Sequence, residues 1–173
     1  MEKLLDKRYK IESVIKAGGM GTVYLAKDTA SDNKLCAIKE MKDKFTDKIS
    51  RQIAVNRFLT EIQTLSNFSH PNIPLITDNF LETNSFYFVM EFIEGTDLYA
   101  FLKKEGSPGL PENDVIGWML QALDALIYIH NLKPPVIHRD IKPSNIILRK
   151  SDLKILLIDF GIARVKVHPT EAG

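Results

Sequence analysis

Strand-like runs of apolar and β-branched residues, Tyr9 to Ile15 and Thr22 to Ala26, flank Ala17-Gly18-Gly19-Met20-Gly21. That stretch is too rich in glycine to extend either strand, so the three pieces predict a hairpin. Leu35 to Glu40 reads as the next strand, and its period of two places Leu35, Ala37 and Lys39 on one face. Beyond a polar stretch the spacing lengthens. Val55, Phe58, Leu59, Ile62 and Leu65 recur at helical intervals, with Glu61 bordering the apolar stripe. His70-Pro71-Asn72-Ile73-Pro74 is a turn, and two further strands follow, Leu75 to Leu81 and Ser85 to Phe92, joined by Glu82-Thr83-Asn84.

At Glu94-Gly95-Thr96-Asp97 the chain changes from strand-rich to helix-rich, which predicts a hinge between two lobes. Asp97 or Thr96 is placed to cap a short helix, Leu98 to Lys104. Pro111 is placed to open a longer one, with Glu112 and Asp114 at its positive end. The body of that helix, Val115 to His130, is apolar nearly all round, so it predicts burial on both flanks, with Trp118 and the methionines in the core. Pro134-Pro135 ends it. Ile146 to Leu148 and Lys154 to Ile158 then predict a second hairpin, turning at Arg149 to Asp152.

Composition narrows the function classes. The net charge of the 173 residues is +1, so no bulk field argues for nucleic acid or an anionic membrane as partner. Cys36 is the single cysteine, which excludes an intrachain disulfide and a cysteine-built zinc site and suits a buried thiol in a reducing compartment. No apolar run approaches the ~20 residues that span a bilayer, and the charged N-terminus has no signal-peptide core, so a soluble, cytoplasmic chain is expected.

The chemistry concentrates in His138-Arg139-Asp140-Ile141-Lys142-Pro143-Ser144-Asn145. A carboxylate, an ammonium and a carboxamide stand within six residues at Asp140, Lys142 and Asn145, and Pro143 stiffens the backbone between them. A base, a cation and an oxygen ligand for Mg²⁺ suit phosphoryl transfer, where positioning and electrostatics do most of the catalysis. Asp159-Phe160-Gly161 begins 19 residues after Asp140, and the second hairpin brings Asp159 back towards Asn145 as a second metal ligand. Lys39, on a face of small apolar residues, needs an anion, and Glu61 is the expected partner. The glycine-rich turn suits close approach to phosphate, though a plain turn explains it equally well.

In order, Gly18, Gly21, Lys39, Glu61, Asp140, Lys142, Asn145, Asp159, Phe160 and Gly161 resemble the protein kinase signature. The wording of Gly18 to Tyr24 and His70 to Ile73 is similar to eukaryotic-like Ser/Thr kinases of bacteria. The resemblance implies an α+β, two-lobe protein kinase-like fold, with a β-rich lobe at residues 1–93 and part of a helical lobe at 94–173. It implies ATP and Mg²⁺: Gly18, Gly19 and Gly21 over the phosphates, Lys39 on the α- and β-phosphates, Glu61 orienting Lys39, and Asn145 and Asp159 on the metal. Adenine would lie among Ile15, Val23, Ala37, Met90 and Ile147, bonded to the backbone of Glu91 and Ile93. Asp140 would orient the hydroxyl of a Ser/Thr acceptor on a protein substrate, Lys142 would steady the transferring group, and His138 would brace the loop.

Two features depart from that pattern. Lys16 replaces the first glycine of the loop, which implies weakened nucleotide binding. The chain also ends 12 residues after Gly161, with Thr170 the one hydroxyl beyond it, so apolar surface on the long helix is expected to be exposed and to favour association. Those departures keep a second expectation in view, a nucleotide-binding regulatory module with little or no activity.

Overall fold

β2 (Tyr9–Gly18) and β3 (Gly21–Asp28) form the predicted hairpin, with Gly18 opposite Gly21 at its tip. The computed structural model describes residues 4–18, 21–42, 48–83, 85–106 and 108–160. β1 (Leu4–Leu5), β4 (Lys34–Lys42), β5 (Ile76–Glu82) and β6 (Ser85–Glu91) complete a six-stranded antiparallel sheet in the order β1-β2-β3-β4-β6-β5. Alternation gives this sheet two faces. Tyr9, Ala26, Cys36, Ile38, Tyr87 and Val89 pack on one. On the other, Phe86 and Phe88 meet Phe58, Ile62 and Leu65 of α1 (Lys48–Ser66). Leu59 was expected within that stripe and instead is 42% exposed, because one turn of helix offers the sheet only a narrow arc.

The second half holds α2 (Leu98–Glu105), α3 (Glu112–His130) and a three-stranded sheet of β7 (Gly95–Asp97), β8 (Ile146–Arg149) and β9 (Ile155–Leu157). Its buried residues continue the core under α1: Trp118, Ala122, Ala125 and Ile129 of α3 join Ile146, Leu148, Ile155 and Leu157. The expectation of burial on both flanks of α3 is corrected. Ile116, Met119, Leu120, Leu123 and Ile127 form an exposed stripe, with Leu120 61% exposed, because no other described element packs on that side.

Polar bonds stitch the two halves where α1 gives way to β5. Ser69 N–H donates to Tyr128 Oη (3.0 Å), and His70 Nε2 lies 3.2 Å from Asp124 Oδ2. Buried Asn72 donates through Nδ2 to Gln121 Oε1 (3.1 Å) and to the Ile155 carbonyl (2.7 Å), while its own carbonyl accepts from Leu157 N–H (2.8 Å). A buried amide group donating to two elements, beside a backbone carbonyl that accepts from a further strand residue, locks these elements into one register.

Candidate active site

Asp140, Lys142 and Asn145 converge as the sequence predicts. Pro143–Asn145 is a single 3₁₀ turn entering β8, and it folds the loop back on itself. Asp140 Oδ2 accepts from Lys142 Nζ (2.8 Å) and Asn145 Nδ2 (3.0 Å), and Asn145 Nδ2 also donates to the Asp140 carbonyl (2.9 Å). Asn145 is buried at 1% exposure, yet its Oδ1 has no partner. An orphaned buried acceptor is costly unless something else takes it up.

Asp159 sits beside this loop because Ile158 N–H donates to the Asn145 carbonyl (2.9 Å). Both Arg139 (φ 65°) and Asp159 (φ 63°) lie in the left-handed region. Elsewhere such residues mark turns; here two of them flank a carboxylate cluster, a pattern of strain held at functional sites. His138 is 1% exposed and donates from Nε2 to the Ile158 carbonyl (3.0 Å), which leaves Nδ1 unpaired. Burial pulls its pKa below the ordinary imidazole value, against the opposing pull of that carbonyl, Asp140 and Asp159. A neutral ring results, and it packs on Phe160 at 4.6 Å. Phe160 reaches on to Phe68 at 5.6 Å, linking the loop to the end of α1.

Lys39 enters from the first sheet. Its side chain is 8% exposed, forms an ion pair with the Asp159 carboxylate and lies 5.7 Å from the Phe88 ring. Sequence reasoning found a lysine in need of an anion but assigned Glu61. Glu61 is in α1, and its side chain lies outside the described residues, as do Gly19, Gly161 and Thr170. Asp159, 120 residues from Lys39, is the counter-charge that the structure describes.

The remaining residues expected in the slot are placed as follows. Val23 stands opposite Lys39 and Ala37 opposite Met90, all on the face that meets α1. Ile15 is 49% exposed near the hairpin tip, Ile147 lies in β8 opposite Asp97 and Leu156, and Ile93 lies in the connection from β6 to β7. Glu91 N–H donates to the Leu75 carbonyl (3.0 Å). A small pocket is lined by Leu65, Phe88, Met90, Asp159 and Phe160. Of the two described hairpin glycines, Gly21 is the one the backbone demands: φ is +137°, and a Cβ would collide with the Glu40 carbonyl. Gly18 faces open space. Three bystanders proved structural. Asp97 accepts from Ala100 N–H (2.9 Å) as the cap of α2, His70 accepts from Asn72 N–H, and Cys36 is buried with its thiol pushed up to about 11.

Sequence reasoning missed the buried Glu40 cluster, where Tyr24 Oη (2.7 Å), Ser85 Oγ (2.9 Å) and Tyr87 Oη (3.2 Å) donate to one carboxylate. A charged residue alternating with Cys36 and Ile38 was the available signal.

The sequence matches the family described as Protein kinase domain over residues 9–172. It is 35% identical over 165 residues to Serine/threonine-protein kinase B of Synechocystis sp., covering 94% of this chain and 28% of that protein. It is 38% identical over 168 residues to Serine/threonine-protein kinase PknA of Nostoc sp., covering 95% and 29%. The chain thus spans under a third of the length of these curated relatives. Among solved structures, the PknI kinase domain of M. tuberculosis is similar with a TM-score of 0.75 and 25% identity, over 90% of this chain and 59% of that one. Rad53 1–466 in complex with AMP-PNP is similar with a TM-score of 0.77 and 28% identity, over 91% and 39%.

Proposed function

The chain belongs to the protein kinase domain family, and from that premise we propose that it binds Mg-ATP between its two sheets and transfers the γ-phosphoryl group to a serine or threonine hydroxyl of a protein. The observation that carries this reading is the approach of Asp140, Lys142 and Asn145 to the Lys39–Asp159 pair through the Ile158–Asn145 backbone bond, which gathers a base, two oxygen ligands, an ammonium and a buried cation from separate stretches of chain. The same reading divides the chain after residue 93, where the last strand of the first sheet gives way to β7. No helix among the described residues is long and apolar enough to cross a membrane. The cytoplasm, which holds ATP, is the compartment this proposal assigns.

The residues fit a magnesium ion. The unpartnered Asn145 Oδ1 and the Asp159 carboxylate are hard oxygen donors, and two protein ligands beside phosphate oxygens match the usual magnesium site. When bound, the ion supplies positive charge against the β- and γ-phosphate oxygens. The chain's own residues do the rest. Lys39 neutralises the inner phosphates, and the slot of Ile15, Val23, Ala37, Met90 and Ile147 holds the base against the backbone of Glu91 and Ile93. Gly18, Gly19 and Gly21 allow close approach of the hairpin tip. Asp140 orients the acceptor hydroxyl. Its oxygen bonds to the γ-phosphorus as the bond from that phosphorus to the ADP oxygen breaks. The proton passes to Asp140 late, since a carboxylate is too weak to deprotonate an alcohol beforehand. Lys142, already bonded to Asp140, is placed to offset charge on the transferring group.

Thermal unfolding with and without Mg-ATP tests the site. A ligand at 100 times its Kd adds about 2.7 kcal/mol, a shift of several degrees. No shift at millimolar Mg-ATP would overturn the nucleotide site. Phosphorylation of Ser/Thr peptides tests the chemistry, with Asp140→Asn expected to abolish it. A second reading, a nucleotide-binding regulatory module docking through α3, is favoured by the exposed Ile116, Leu120, Leu123 and Ile127; Mg-ATP binding with no phosphoryl transfer to any peptide of a Ser/Thr acceptor mixture would select it.

A further inference from the structure

We propose that Lys16 is a second phosphate-binding cation of this cleft, so that the chain discriminates charged nucleotides from nucleosides with two lysines rather than one. The inference rests on the nucleotide-binding reading above and adds to it a residue that the kinase resemblance counts only as a lost glycine.

The register of the sheet carries the argument. Lys16 stands opposite Val23, Val23 opposite Lys39, and Lys39 opposite Phe88, so the four form one cross-strand row. Directly opposed residues of antiparallel strands share a face. Phe88 packs in the cluster with α1, so this row belongs to the cleft side of the sheet, while its neighbours Tyr24, Ile38 and Val89 pack on the other side. A register shift between Val14 and Lys16 sets this alignment. One irregular residue, Ile15, moves Lys16 onto the row of Lys39.

Distance and charge agree with the placement. Two strand spacings put the Lys16 and Lys39 backbones about 10 Å apart, and lysine side chains reach about 6 Å, so both ammonium groups can bear on one di- or triphosphate. Lys16 lies two residues before Gly18, beside the hairpin tip that would cover the phosphates. Lys39 has Asp159 as counter-charge. Among the described residues Lys16 has no hydrogen-bond or ion-pair partner, and its neighbours Ala17 and Gly18 bring no acid. An exposed ammonium held by the sheet register on the same face as Lys39 is available to a ligand anion at little desolvation cost.

The test is binding, read by calorimetry on the 173-residue chain with ATP, ADP and adenosine, for wild type, Lys16→Met and Lys16→Arg. An exposed charge contact is worth a small factor, so Lys16→Met should weaken ATP and ADP about threefold to fivefold and leave adenosine within about twofold. Lys16→Arg should retain wild-type values, and the loss in Lys16→Met should shrink at high salt. An unchanged ratio of ATP to adenosine affinity in Lys16→Met overturns the inference, as does Lys16→Arg behaving like Lys16→Met. Either result leaves the nucleotide site standing if wild type binds ATP. Absence of ATP and ADP binding to wild type overturns both readings together.

Discussion

The Lys39–Asp159 pair joins two groups of unequal burial, and that inequality makes a prediction about stability. Replacing Asp159 by Asn keeps the shape and removes the charge, leaving the ammonium of Lys39 at 8% exposure with a Phe88 ring at 5.7 Å. Removing one partner of a fully buried pair costs about 3–5 kcal/mol, and the ring contact returns about 0.5–1 kcal/mol. Since Asp159 is itself 25% exposed, water already screens the pair, so about 2–3 kcal/mol is expected for Asp159→Asn. The reverse change, Lys39→Met, fills the buried space with an apolar chain and leaves a carboxylate that solvent can reach, at a cost of about 1 kcal/mol. For a chain of this size those losses lower Tm by about 4–12 °C and 2–4 °C respectively. Urea and thermal unfolding of both variants without nucleotide, and of the double variant, measure the order directly. Equal losses, or a larger loss in Lys39→Met, would refute the claim that Asp159 supplies the counter-charge of Lys39. The same experiment separates stability from function, because both variants should lose the response to Mg-ATP whatever their Tm.

Burial lifts the Cys36 thiol from 9.0 to about 11. A raised pKa means that the stability contributed by the neutral thiol is complete below pH 9 and is lost as pH rises through about 11. Between pH 8 and pH 10, wild type should therefore lose about 1 kcal/mol more in urea melts than Cys36→Ala, and parallel slopes would contradict it. Asp97→Ala should cost about 1 kcal/mol by removing the bond to Ala100 N–H, with Asp97→Asn close to neutral; equal losses in the two would rule out capping as the cause.

Elements whose evidence is local were legible in the chain. The hairpin of β2 and β3, the face shared by Ala37 and Lys39, the cap at Asp97 and the grouping of Asp140, Lys142 and Asn145 all depend on residues within a few positions of each other. What escaped was set by residues far away. Lys39 announced that it needed an anion, but the described partner arrives from β9 after a path of 120 residues. Periodicity alone places Met119 and Leu120, as apolar as Trp118, in the core; the expectation of exposed apolar surface on this helix, which the structure bears out, comes from the kinase resemblance and not from the period. Asn72 looked like one residue of a proline-rich turn, and its bonds to Gln121 and Ile155 exist only once three elements are assembled. The glycine-rich turn leaves ligand approach and a plain turn equally open, and the immediate cause at Gly21 is the Glu40 carbonyl of the neighbouring strand.

The stitching around Asn72 has a mechanical consequence. Beside the shared core, the Lys39–Asp159 pair and the Phe68–Phe160 contact, the two halves are tied by the chain crossing from Phe92 to Glu94 and by the knot of Ser69, His70 and Asn72 on Tyr128, Asp124, Gln121 and Ile155. The crossing and the knot define an axle. Relative rotation of the sheets about it carries each atom along an arc proportional to its distance from the axle. Ala37 and Met90 lie close to the crossing and travel little, whereas the Gly18–Gly21 tip, at the far end of the longest hairpin, sweeps the widest path. A small turn at the knot is thereby geared into a larger displacement of the strand ends at Gly18 and Gly21, and any substitution that loosens Asn72 gives the axle play without touching a ligand.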